Sequence, residues 1–261
     1  MKSSNQLVQG IDGLIEEGEA LRRLGAERAQ ARPRARVQGA RVFHTGMAVA
    51  FLLTAFAGFA PTYFLRGLSQ RPALGPLLHL HGLVFTGWLV LLIVQSALVA
   101  GRRVAVHRML GIAGALLALA MLPLGAIAAL EGARRGISRP GAQPLVFLLF
   151  PLGQLVMFAG FLAAALWLRR KPESHRRLIL VATATLMTPA LSRLPFVPHP
   201  MVSLGLSALF VVAGMVHDWK TRGRVHRVYL LGAAVIVLSG PLRVALGHTA
   251  AWQSLARWLI S

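Results

Sequence analysis

The apolar positions of this chain come in long runs rather than at alternating or every-third positions, and this pattern predicts helices with no wettable face. A bilayer core about 30 Å thick is crossed by roughly 20 apolar helical residues. Runs of that order, free or nearly free of Asp, Glu, Lys and Arg, occupy Val42–Ala60, Leu77–Ala100, Met109–Leu130, Leu145–Leu168, Leu178–Val197, Met201–His217 and Val228–Gly247. The fifth and seventh each hold one arginine, and the sixth is short. The expected fold is therefore an all-α, polytopic transmembrane bundle of seven spans.

Composition agrees, with 56% hydrophobic and 14% charged residues and no cysteine, which excludes a disordered chain and a disulfide scaffold. The formal charge of +20 changes meaning once it is read by position. Segments 1–41, 101–108, 169–177 and 218–227 alternate with the spans on one side and carry 20 of the 28 Lys and Arg. Arg66, Arg71, Arg134, Arg135, Arg139, Arg193, Arg243 and Arg257 fall on the other. The positive-inside rule then places the N-terminus in the cytoplasm and the C-terminus outside. The charge points to anionic lipid head groups on the cytoplasmic side and to no nucleic acid. Trp167, Trp219, Tyr229, Tyr63, Trp252 and Trp258 fall at or beyond span ends, as interface anchors do, and Trp88 lies at mid-membrane.

Residues 1–41 place Leu7, Ile11, Leu14, Ile15, Leu21 and Leu24 at roughly helical spacing before the basic stretch Arg32–Arg41, and this reads as a cytoplasmic amphipathic arm. Arg41, the run after it and Ala55-Phe56-Ala57 have the layout of a signal peptide. The preceding 41 residues make too long an n-region for one, and the charge pattern needs this helix to stay. At the other end, residues 248–261, with Trp252, Leu255, Trp258 and Leu259, suit an interfacial helix. Residues 42–247 form the transmembrane domain between them. The loops are short, so any activity lies within the bundle.

Nine histidines are the main chemical clue, because histidine at membrane depth pairs, ligates or relays protons. His81, Phe85, Trp88, Leu92 and Gln95 recur at helical steps on one face of the second span. His79 lies about 200° from His81 around that helix, so the two cannot enter one cavity, and His81 is taken as the inward one. On the outer side Arg193 and Arg243 follow Pro189 and Pro241, with no acidic residue in any span to balance them. Such a guanidinium either snorkels to the interface or binds a propionate, phosphate or carboxylate. Thr185, Thr188 and Ser192 share a face of the fifth span and either line the same cavity or bond neighbouring helices. Gly111, Gly114, Ala118, Gly125 and Ala129 give the third span a small-residue surface suited to close packing.

Three functional readings follow. The first is haem binding or redox chemistry with haem b: His81 as axial ligand, His199 or His248 as partner, Arg193 and Arg243 on anionic groups, and Trp88 and Gln95 on the same face. The second is a non-enzymatic binder or transporter of an anionic lipid or small molecule. The third is a metal site built from His79, His81, His199 and His248. The absence of a lysine or carboxylate within any span discounts a retinal protein and a carboxylate-driven transporter. The absence of cysteine discounts thiol, iron–sulfur and covalent haem chemistry.

The string His79-Leu-His81-Gly82 with Phe85, Trp88, Gln95 and then His107-Arg108-Met-Leu110-Gly111 resembles a family of uncharacterised bacterial multi-pass membrane proteins. Phe56-Ala57-Gly58-Phe59-Ala60-Pro61-Thr62-Tyr63, Pro172-Glu173-Ser174-His175-Arg176-Arg177-Leu178 and Thr221-Arg222-Gly223-Arg224-Val225-His226 look like other parts of the same pattern. The resemblance implies a bacterial inner-membrane location and no particular activity. A looser likeness to haem-binding membrane cytochromes rests on histidines near helix ends.

Overall fold

Helices account for every regular element of the described residues, which in this computed structural model are 22, 39–40, 42–68, 73–136, 143–197 and 199–261. The chain divides into two units, Met1–Val42 and Phe43–Ser261, and the description concerns the second. The expected amphipathic arm lies, but for residues 22, 39 and 40, outside the described residues.

Among the described residues, six helices are long and apolar enough to cross a membrane: α1 (Val42–Phe64), α2 (Pro76–Ala100), α3 (Val104–Arg134), α4 (Pro144–Arg170), α7 (Pro200–Arg222) and α8 (Arg227–Gly247). Proline opens α2, α4 and α7, where its fixed φ suits a helix start and its missing N–H has no partner to lose. Helix α7 ends on Gly223 in the left-handed region, the conformation glycine adopts at least cost.

The fifth expected span is two pieces, α5 (Pro172–Thr185) and α6 (Thr188–Leu191). Pro189 gives no N–H to the carbonyl of Thr185 and its ring crowds that carbonyl, so α5 stops at Thr185. Leu186 and Met187 tighten into turns on the carbonyls of Thr183 and Ala184. The broken segment is still the core of the bundle. Leu178, Leu180 to Thr185, Met187, Thr188, Ala190 and Leu191 are all buried, against α4, α7 and α8.

Two sets of contacts fix the ends of this segment. At its start Arg177 pairs with Asp218 near the end of α7. At its finish Ala190 meets α1 closely enough that a Cβ on Gly58 would lie 2.2 Å from the Ala190 carbonyl oxygen. Arg193 beyond it shares surroundings with the beginnings of α2, α4 and α7. The α5–α6 segment thus runs the length of the bundle, from the Arg177 end to the Arg193 end. Helix α9 (Ala250–Ile260) lies across the Arg193 end, with Ala256 packed on Ala133 and Leu148 and Trp252 Nε1 donating to the Leu145 carbonyl at 2.8 Å.

One expectation needs correction here. Tyr229 is not an interface anchor: it is buried against Gly214, with the Arg177 guanidinium 5.6 Å from its ring centroid. Asp218 stands in the last turns of α7, which continues to Arg222, and is fully buried there. Trp167, Trp219 and Trp258 are exposed.

A candidate ligand cavity at one end of the bundle

A cavity of about 720 Å³ opens among α1, α2, α3, α4 and the α5–α6 break. Its walls are mainly aromatic and aliphatic: Phe59, Phe85, Trp88, Phe147, Phe150 and Leu155 line it. The lining on α2 extends from Leu78 to Leu89, a depth of about 16 Å at helical rise. Gly125 of α3 closes one side, pressed between Leu155 and Phe85, so part of the small-residue surface of that helix shapes the cavity.

Polar groups enter this apolar space at two levels. Toward the mouth lie Tyr63, Arg66, Glu131 and Arg135, and Arg135 is bound to Glu131 at 2.7 Å. Further in lie His81 and Thr188, while Ser192 and the exposed Arg193 also border the space. The His81 ring stacks on Phe85 with centroids 4.1 Å apart, and its buried Nδ1 has no hydrogen-bond partner among the described residues. The Thr188 hydroxyl is in the same condition. Arg193 lies over Phe59, 4.5 Å from the centroid, and donates to the Pro189 carbonyl at 2.6 Å. The unwound turn at Leu186–Met187 is what lets Thr188 and Arg193 reach the same space. Interrupted helices of this kind form ligand sites in many membrane transport proteins.

The remaining residues singled out by the sequence lie elsewhere. His79 pairs with the Tyr63 hydroxyl at 3.2 Å, on the other side of α2 from His81. His199 caps α7 by accepting from the Met201 amide at 3.2 Å, and His248 is exposed at the end of α8. Neither lines the cavity. Trp88 does, and its Nε1 donates to Thr183 Oγ1 at 3.3 Å. Gln95 lies toward the opposite end of α2, beside Gly111. Thr185 is turned to the Ala182 carbonyl at 2.7 Å and Ser192 to the Pro189 carbonyl at 2.9 Å, which leaves the Thr188 hydroxyl to the cavity. Arg243 does not snorkel: it is 5% exposed, wedged between α8 and α4. Among the described residues no group of three or more His, Cys, Asp or Glu stands close enough to hold a metal ion.

Sequence patterning missed the cluster at the opposite end. Glu173 accepts from Arg176 and Arg177, each at 2.8 Å, and from Arg222. Asp218 binds Arg177 and accepts from the His226 amide at 3.2 Å. Burial works against the Glu173 charge, but these arginines hold its carboxyl below the ordinary value. Burial, followed by the Arg177 charge, holds the His226 imidazole below its own. Only three of the eight acidic residues lie beyond residue 42, a signal that each of them was bound to be paired.

Comparison with family models, curated proteins and solved structures finds no match to this chain.

Proposed function

We propose that the chain is an integral membrane protein of seven crossings that binds a small amphiphilic anion in the cavity at its Arg193 end. The observation that carries the reading is that His81 and Arg193 both line one apolar space of about 720 Å³, a size and character suited to one small organic ligand. Three arginines and one glutamate line that space, and Glu131 is bound to Arg135, so the lining is richer in guanidinium than in carboxylate. The His81 nitrogen and the Thr188 hydroxyl are polar atoms that a ligand head would satisfy. Its apolar part would lie along Phe85, Trp88 and Leu155.

The test is fluorescence of the purified protein in detergent. An ω-bromo carboxylate should quench Trp88 saturably, and Trp88→Phe should remove that component. Replacing His81 by Ala, or Arg193 by Gln, should weaken the binding. Quenching that never saturates, or that survives Trp88→Phe unchanged, would reject the reading.

In this reading the α5–α6 segment is the seventh crossing, the N-terminus is cytoplasmic, the C-terminus is outside, and the membrane is a bacterial inner membrane. The basic loops at the Arg177 end support that orientation. The absence of cysteine makes it directly measurable: Arg170→Cys should react with an impermeant maleimide only in opened cells, and Ser254→Cys in intact ones.

A second reading is haem b, favoured by the buried, unpartnered Nδ1 of His81 within aromatic walls. His81 would be the single axial imidazole, since His199 and His248 lie outside the cavity, and Arg193 would hold a propionate. A Soret band lost on His81→Ala would select it.

A further inference from the structure

Arg243 is a buried cation with no carboxylate bound to it among the described residues. Its Nη1 donates to the Phe150 carbonyl at 3.4 Å and its Nη2 faces the Met157 sulfur at 3.5 Å. Its Cζ lies 5.7 Å from the Phe150 ring centroid. On its other side Gly153 leaves room for it: a Cβ there would fall 2.5 Å from Nε. The acids beyond residue 42 are Glu131, Glu173 and Asp218, and all three are bound to other arginines. Arginine does not shed its proton in proteins, and a buried charge facing one long carbonyl bond, a sulfur and a ring is poorly compensated.

This charge lies directly behind the cavity wall. Phe150 is both its neighbour and part of the cavity lining, and Gln154, next to Gly153, lines the cavity too. Arg243 is only 5% exposed, so the field of the guanidinium is weakly screened there.

Resting on the cavity reading above, we propose that Arg243 is the specificity-determining residue that makes the cavity select an anionic head over a neutral one, by its field and without touching the ligand. The ligand class is then an amphiphile whose head carries a full negative charge, a carboxylate or phosphate monoester, and not a neutral alcohol. His81 and Arg193 contact the head; Arg243 supplies the background potential that decides its charge.

The experiment compares quenching of Trp88 by an ω-bromo carboxylate and by the matching ω-bromo alcohol. The native protein should prefer the carboxylate. Arg243→Met should weaken carboxylate binding by about tenfold or more while alcohol binding holds, and Arg243→Lys should keep most of the preference. Gly153→Ala, which pushes the guanidinium away with its charge intact, should reduce carboxylate affinity alone, and it stands in if Arg243→Met fails to fold. Equal loss for both probes would make Arg243 a purely structural residue and overturn the inference, as would no loss for either, or equal affinities in the native protein. Quenching by neither probe in the native protein would instead reject the cavity reading and this inference with it.

Discussion

Arg177 and Asp218 meet as a two-pronged pair, with Nε donating to Oδ2 at 2.8 Å and Nη2 donating to Oδ1, and each side chain is only 1% exposed. The pair joins the start of α5 to the end of α7, and the His226 amide ties the start of α8 to the same carboxylate. Three helices therefore share one ionic knot.

Removing one member of such a pair leaves a charge without water or partner, at a cost of about 3–5 kcal/mol. Asp218→Asn should therefore lower the thermal midpoint in detergent sharply. The double change Arg177→Met with Asp218→Leu should recover much of the loss, because it leaves no stranded charge. An unchanged midpoint for Asp218→Asn would contradict the knot.

Acidification should loosen the same end. The folded state favours ionised Glu173 and neutral His226, whose Nδ1 accepts from the Val228 amide at 3.2 Å. Both groups sit below their ordinary values, 4.5 and 6.5, so the unfolded chain binds more protons as pH falls. Their stabilisation is complete above about pH 6.5, declines first through His226 and then, below about pH 4.5, through Glu173. Thermal midpoints measured across this range should fall toward acid, and His226→Asn, which keeps a capping acceptor, should flatten the upper part.

Two glycines should respond oppositely to alanine. Gly58→Ala drives a methyl into the Ala190 backbone and should cost about 1–3 kcal/mol, since a carbonyl cannot rotate away. Gly87→Ala, with nothing within 4 Å of the new Cβ, should be neutral or gain up to about 1 kcal/mol from helix propensity. Chemical denaturation of the two variants side by side separates them.

Helix α9 should detach if its C-terminal clasp is cut. Arg134 donates to the carbonyls of Ile260 and Leu259 at 3.1 and 3.2 Å, where a helix leaves such groups unbonded. Arg134→Ala should speed amide exchange in Ala250–Ile260 while the core of α4 stays protected. Trp252→Phe, which loses its bond to Leu145, should cost about 1 kcal/mol.

The six long helices were legible because a bilayer imposes a length and a composition that hydropathy reads directly. The break in the fifth span was marked by Pro189, but averaging over a window hides a single missing donor. The face His81–Phe85–Trp88–Leu92–Gln95 was drawn correctly around the helix and misleading along it, since Gln95 lies about 21 Å of helical rise from His81. Tyr229 was misplaced because a position near a span end looks exposed until the glycine opposite it, Gly214, is known. Arg177 looked like one more topology charge; only the partner 41 residues away shows it to be structural. Pairings across helices leave no periodic trace, and the cavity is made of such pairings.

The α5–α6 segment bears on how the protein is made. Arg177 at its start, Arg193 near its finish, four hydroxyls between them and a break before Pro189 all weaken its partition into lipid relative to an uninterrupted apolar helix. If it crosses, its entry depends on α4 already in place and on α7 and α8 still to be synthesised, so truncation before Pro200 should leave a chain whose last segment stays out of the bilayer. The turn that brings Thr188 and Arg193 to the cavity would then be the last part settled during biogenesis.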